Sequence, residues 1–351
     1  AATSAAATSA AATSAAAASA AATTAAAASK SDADDCPGRV PFHGLLTCQG
    51  SVYQQWQARI MYFHWKKQTA AAGPCGDMGG FTRLVASEGG KPDGLEAEMP
   101  SFFVRQYTTA EIARYGHFGV LNRPFSVVQF ADRGGFEALQ EQFVYIAETD
   151  HVLMRPLPNL ATPDKAAAFS FGYMHCGSSH QPLLDKFAPG VTYSDVQPVG
   201  PSPLVVSKPV LRRLAPLWLN LSLALKLDPV ADRRFGWVLE MWGYSIASAS
   251  IGLRHQVFRD FQVEPGALSS AAQLDGFPLR YWIFHYTYQF EYYLDGTPCQ
   301  PWTIGEFSLD KRHFSAEPPP YPLPDPPPGA NKAAFFLVGA FNEAMRALGT
   351  A

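Results

Sequence analysis

The sequence contains no run of about 18 apolar residues, so no stretch of it reads as a membrane span. It is also poor in charge. Asp, Glu, Lys and Arg make up 16% of the 351 residues and the formal net charge is -3, which leaves no basic footprint for nucleic acid. Cysteine is sparse: Cys36, Cys48, Cys75, Cys176 and Cys299 lie too far apart for a zinc knuckle or a CxxC redox site. Their odd number leaves at least one thiol unpaired or bonded to another chain. Neither a P-loop nor a dinucleotide fingerprint occurs.

What is present is material for a large core, with 47% hydrophobic and 13% aromatic residues. Residues 1–35 stand apart. They repeat Ala-Ala-Thr-Ser without one large apolar side chain, and so read as a spacer, with a single solvated helix as the competing form. Residues 36–351 have the composition of one packed α/β domain, including a Pro-rich segment over 318–328 and an amphipathic C-terminal helix with Phe335, Val338, Phe341, Met345 and Leu348 at helical spacing.

The stretch richest in implication is Phe143 to Leu160. Phe143-Val144-Tyr145-Ile146-Ala147 is rich in β-branched and aromatic residues and predicts a strand buried on both faces of a sheet. It ends in Glu148-Thr149-Asp150-His151. Side chains able to bind a hard or borderline cation thus arrive where a parallel strand stops, the end at which open α/β sheets hold ligands. Taken alone, the same four residues also describe a solvated acidic turn.

Other segments carry weaker signals. Val52–Lys67 has the spacing of a helix with a core face. Gly73–Arg83 is glycine-rich, a loop type that lets a ligand approach the backbone. Pro124 suits a first helical turn and would place Arg123 at its start, free to reach out of the fold or to lie on the surface. Phe235–Ile251 predicts a helix packed all round, with Glu240 on the face of Trp237, Tyr244, Ala247 and Ile251, and with Leu239, Trp242 and Ile246 alongside. A carboxylate there must be hydrogen-bonded, paired or poised for chemistry. His285 centres the strand-like Tyr281–Tyr288 and reads as a core histidine or a ligand. Lys311-Arg312-His313 is a basic cluster that either holds a phosphate or faces water.

Together, QWQARIMYFHWKK, GDMGGFTRL, VLNRPFSVVQF, YIAETDHVLMRPLPNL, SPLVVSK, FGWVLEMWGYSIASA, GLRH, IFHYTY and IGEFSLDKR resemble, in the family's own order, the hydroxyproline O-arabinosyltransferases of plants and green algae. The resemblance implies a GT-A type fold, with a single mixed, mostly parallel sheet flanked by helices. It implies a Golgi lumenal setting with a membrane anchor upstream of this chain, a UDP-β-L-arabinofuranose donor, a hydroxyproline-containing protein or peptide acceptor, and a divalent metal, manganese foremost. The family's acidic motif falls on Glu148, Asp150 and His151, and its late histidine on His285. Asp150 and His285 are then the expected metal ligands, with Glu148 a third ligand or a holder of the donor, and His151 either beside them or turned into the core. Arg123 and Lys311 are candidates for the donor phosphates by charge and position. Three positions depart from the family: Thr149 stands where Pro is usual, Ala58 where Cys is, and Pro201 where Asn is. Ala58 excludes a family disulfide at that position.

Three functions are compatible with this reading. The first is a retaining, metal-dependent arabinosyltransferase acting on peptidyl hydroxyproline. The second is a transferase of related fold with another donor or acceptor, such as a peptidyl-serine galactosyltransferase. The third is a non-catalytic polyproline- or glycan-binding protein. For the first, Glu240 is the expected catalytic acid, as nucleophile or, preferred on sequence, as the group that orients the acceptor hydroxyl. Trp237, Trp242, Tyr286 and Tyr288 are candidates to line an acceptor groove, which the chain's own Pro318–Pro328 would be able to enter.

Overall fold

A computed structural model describes residues 36–265, 275–287, 289–300 and 303–349. The chain divides into the units Ala1–Arg39 and Val40–Ala351, and every element named below belongs to the second. The spacer expected over residues 1–35 lies outside the described residues, as does Tyr288.

The strands are, in chain order, β1 (Phe42–Gln49), β2 (Met78–Ser87), β3 (Ser101–Arg105), β4 (Phe143–Ala147), β5 (His151–Leu153), β6 (Lys165–Ser170), β7 (Val199–Ser207), β8 (Arg254–Val257), β9 (Gln262–Val263), β10 (Ile283–His285), β11 (Phe290–Tyr292) and β12 (Phe307–Leu309). The main helices are α1 (Val52–Ala72), α2 (Asn122–Asp132), α3 (Lys208–Leu227), α4 (Leu239–Ser250) and α5 (Lys332–Leu348). Seven strands form one mixed sheet in the order β3-β2-β1-β4-β7-β6-β8. Its pairings are parallel except for β4 with β7 and β7 with β6. This is the helix-flanked, mostly parallel sheet expected from the sequence.

The two-residue period of a strand explains the layers. In β4, Val144 and Ile146 join a cluster with Val127 and Phe130 of α2, Trp218 of α3 and Tyr244 of α4. Phe143, Tyr145 and Ala147 point the other way, into a cluster with Met61 and Trp65 of α1. Burial on both faces is why β4 has no polar alternation. Its C-terminal end therefore emerges from the middle of the molecule, between helix layers.

α1 starts at Ser51, whose side chain accepts from the Gln54 N–H, and stops at Gly73, with φ 68. It outruns the expected end at Lys67 because Gln68 to Ala72 contains no helix breaker. The glycine-rich Gly73–Arg83 is not a loop throughout. From Met78 onward it is β2, and Gly79 and Gly80 admit the Glu141 side chain, to which the Gly80 N–H donates at 2.5 Å.

Arg83 likewise is structural. It is 1% exposed and forks onto Asp93, with Nη2 to Oδ1 at 2.6 Å and Nη1 to Oδ2 at 3.0 Å, while its Nε donates to Ser101. Asp93→Ala strands that guanidinium in the core. The expected loss is about 3–5 kcal/mol of unfolding free energy, read from the denaturant midpoint; a loss under about 1 kcal/mol would show that water reaches Arg83.

Two expectations for the C-terminal region need correction. The buried face of α5 is Ala333, Ala334, Leu337, Val338, Ala340, Phe341, Ala344 and Met345, and Phe335 is exposed, because the helix packs through its alanines as well as its large residues. The Pro-rich segment wraps the surface on α5. Asn342 holds Leu323 at both backbone groups, accepting its N–H at 2.8 Å and donating to its carbonyl at 2.9 Å, so the segment is occupied there and does not fill a groove elsewhere. Cys36 and Cys75 are disulfide-bonded, and Cys48, Cys176 and Cys299 are free thiols. No helix among the described residues is long and apolar enough to cross a membrane.

Candidate active site

β4 ends at Ala147, and a tight turn closed by the His151 N–H on the Glu148 carbonyl at 3.3 Å reverses the chain into β5. β5 pairs antiparallel with β10, and the register sets Val152 against Phe284 and His151 against His285. Val152 and Phe284 are fully buried, so slipping this register would turn both into the wrong face. The apolar pair thereby fixes the two imidazoles side by side, ring centroids 4.9 Å apart. The Tyr286 N–H donates to the Asp150 carbonyl at 3.2 Å and the Tyr286 hydroxyl to the Thr149 carbonyl at 3.3 Å, which pins the turn.

Glu148, Asp150, His151 and His285 each present a ligand atom, and these atoms lie within 4.8 Å of one another. His285 Nε2 is 3.2 Å from Asp150 Oδ2 and 3.5 Å from Glu148 Oε2. His151 Nε2 is 3.8 Å from Glu148 Oε2. The surrounding side chains orient both rings. His151 Nδ1 is 2.9 Å from the Tyr145 hydroxyl, and His285 Nδ1 lies 3.5 Å from Glu264 Oε1 without a hydrogen bond between them.

Two cations close the cluster. Lys311, in the turn after β12, is ion-paired with Asp150, and Arg123, in the first turn of α2, is ion-paired with Glu148. Arg123 Nη1 is also 3.7 Å from Glu240 Oε2. The basic cluster at 311–313 splits: Lys311 turns inward, whereas Arg312 is bound to Asp310 and half exposed. The residues singled out in the sequence, Arg123, Glu148, Asp150, Glu240, His285 and Lys311, therefore meet in one place.

The charges follow from these contacts. Burial opposes a charge on Asp150, yet Lys311 and His285 hold its carboxyl well below the usual range. Burial drives His151 well below the ordinary imidazole value, so its ring is neutral. Burial also pulls His285 down, but the Asp150 and Glu264 carboxylates together outweigh it and the net shift is upward. Burial pushes Glu240 up to about 7, against the lowering influence of Arg123.

A metal fits these residues on one specific observation. His151 Nε2 is a buried nitrogen of a neutral ring with no hydrogen-bond partner, and it faces the carboxylates. Two carboxylates and two imidazoles are a donor set compatible with a divalent metal. His151 thus stands beside the other three side chains even though its ring is fully buried. Glu264 carried no sequence signal, and its place depends on β9 pairing with β10. Tyr145 carried a faint sign, since a buried tyrosine hydroxyl needs a partner.

Glu240 lies in the first turn of α4, 1% exposed, with neither carboxylate oxygen hydrogen-bonded. The two helix faces separate as expected: Tyr244 and Ala247 pack into the central cluster, and Leu239, Trp242 and Ile246 into another. Trp237 departs from that pattern. It sits in a 3-10 turn before α4 and is 77% exposed. Trp242 is buried against His180 and Phe235, and Tyr286 is buried under the turn, so neither lines an open groove.

Residues 42–257 match the model of the hydroxyproline O-arabinosyltransferase family N-terminal domain, and residues 282–350 match that of its C-terminal domain. The chain is 40% identical over 308 residues to hydroxyproline O-arabinosyltransferase 3 of Arabidopsis thaliana, covering 87% of this chain and 80% of that protein. It is 39% identical over 308 residues, with the same coverage, to hydroxyproline O-arabinosyltransferase RDN2 of Medicago truncatula. A peptidyl serine alpha-galactosyltransferase of Arabidopsis thaliana is 21% identical over 297 residues, which is 80% of this chain and 32% of that protein.

Proposed function

Because the chain belongs to the hydroxyproline O-arabinosyltransferase family, we propose that it moves L-arabinofuranose from UDP-β-L-arabinofuranose to peptidyl hydroxyproline, with retention at the anomeric carbon. The observation that carries the proposal beyond family membership is the cluster at the end of β4. There four side chains with ligand atoms and two ion-paired cations converge beside a buried, uncommitted carboxylate. Glu148, Asp150, His151 and His285 would hold a divalent cation, manganese foremost. When bound, it supplies positive charge to the donor's diphosphate as the glycosidic bond breaks.

The chain's own groups do the rest. Arg123 and Lys311 would offer charge-assisted hydrogen bonds to the donor's phosphate oxygens. Glu240, with its pKa pushed up to about 7, is suited to receive or hold the proton of the acceptor hydroxyl. The disulfide-bonded Cys36 and Cys75 suit an oxidising compartment, which supports a Golgi lumenal setting.

The test is UDP release from a panel of UDP-sugars with manganese, with and without peptide. UDP-β-L-arabinofuranose turnover should rise on adding a hydroxyproline peptide and not on adding a serine peptide. Preference for UDP-galactose with a serine peptide would replace the reading with that of a serine galactosyltransferase.

Lys311 gives a second expected result. Its ammonium sits on the Asp150 carboxylate, where it competes with any cation for that ligand. Lys311→Met should therefore tighten manganese binding without nucleotide, by about tenfold, while weakening UDP binding. Manganese titration by paramagnetic resonance and UDP calorimetry read the two effects separately, and unchanged UDP affinity would remove Lys311 from the donor site.

A further inference from the structure

Trp237 is unused by the site as described. The fold buries Trp56, Trp65, Trp218 and Trp242, yet leaves Trp237 77% exposed. The ring is nonetheless held. Gly236, at φ 55 and ψ -137 where L side chains are strained, turns the chain out of the helix Pro229–Phe235 and directs Trp237 into the turn that runs on into α4. Phe118 meets the indole edge-on, with centroids 5.7 Å apart and planes at 88°, and Phe118 is itself 6% exposed under the Lys226 ammonium.

Position links this ring to the site. Trp237 precedes Glu240 by one helical turn, and Phe118 leads into the turn that begins α2 and Arg123. Arg123 and Glu240 in turn lie 3.7 Å apart. The two segments that supply the indole and its backing ring are thus the same two that supply a cation and the buried carboxylate.

We propose that Trp237, backed by Phe118, is a stacking platform for the acceptor, binding an extended polyproline-II peptide through the pyrrolidine rings that flank the reacting hydroxyproline. This rests on the acceptor reading given above. Such a peptide is already extended, so it loses little conformational freedom on docking, and its rings turn slightly positive C–H edges toward the electron-rich indole face. The chain's own Pro-rich segment is engaged on α5 through Leu323 and Asn342 and leaves the platform to another chain.

Two acceptors test the proposal: a hydroxyproline-rich peptide of polyproline-II conformation, and N-acetyl-hydroxyproline amide, which has no flanking rings. Trp237→Ala should raise KM for the peptide about tenfold with kcat and donor KM unchanged, and leave the amide's kinetics as they were. Trp237→Phe should recover part of the loss. Equal peptide KM in Trp237→Ala and the unaltered protein overturns the platform and leaves the transferase reading standing. A raised donor KM instead reassigns the ring to the sugar nucleotide. Failure of the unaltered protein to act on either acceptor defeats the underlying function.

Discussion

Asp150→Asn should abolish transfer, by about three orders of magnitude, without unfolding the protein. Asn keeps the shape of the side chain and an oxygen for the hydrogen bonds that reach Asp150 from Lys311 and His285. It removes the negative charge that a divalent cation needs. The β5–β10 register is set by Val152 and Phe284, not by this carboxylate, so circular dichroism should be unchanged, with a modestly lower Tm as Lys311 loses its counter-ion. Manganese binding measured directly should disappear along with donor hydrolysis. His285→Ala should act in the same direction more weakly, since it would delete one neutral donor of the four proposed. Full activity after exhaustive chelation would end the metal assignment, whatever the variants did.

This site was legible where its residues follow one another along the chain and obscure where they meet through folding. The sequence Phe143 to His151 shows both a strand buried on two faces and the acidic turn at its end, because the two-residue period and the sudden change of polarity are local. His285 was readable as part of a short alternating strand, but its pairing with His151 depends on β10 crossing back over more than a hundred residues. Glu264 is hidden in a similar way, since it meets His285 only through the pairing of β9 with β10. In the Gly73–Arg83 stretch the local signal misleads. Glycines that would suit a ligand make room for Glu141, and the arginine forks onto Asp93 within the core. Trp237 is the converse. A helical wheel placed it on a buried face, and the left-handed Gly236 beside it puts it in solvent.

Glu240→Gln should be the most informative change, because activity and stability are expected to move in opposite directions. If the carboxylate takes part in the reaction, transfer should fall by about 10²–10⁴-fold in kcat, with UDP-sugar affinity nearly unaltered. An effect confined to acceptor KM would restrict Glu240 to orienting the hydroxyl, and a sugar adduct trapped on its side chain would make it the nucleophile. Stability provides the independent arm. A carboxyl raised from the ordinary 4.5 to about 7 contributes stability that is fully present below the unfolded value and is lost as pH rises through the folded one. The fold therefore carries a cost of about 3 kcal/mol at pH 8 for holding this charge in the core. Gln is neutral at every pH, so the variant should match the parent near pH 4 and exceed it in Tm at pH 8. A structural carboxylate, hydrogen-bonded for the sake of the fold, would give the reverse, a variant less stable at pH 8. Neither oxygen of Glu240 has a hydrogen-bond partner, and its cation stands 3.7 Å away, so the stabilising outcome is the one expected of a group retained for chemistry at the expense of the core.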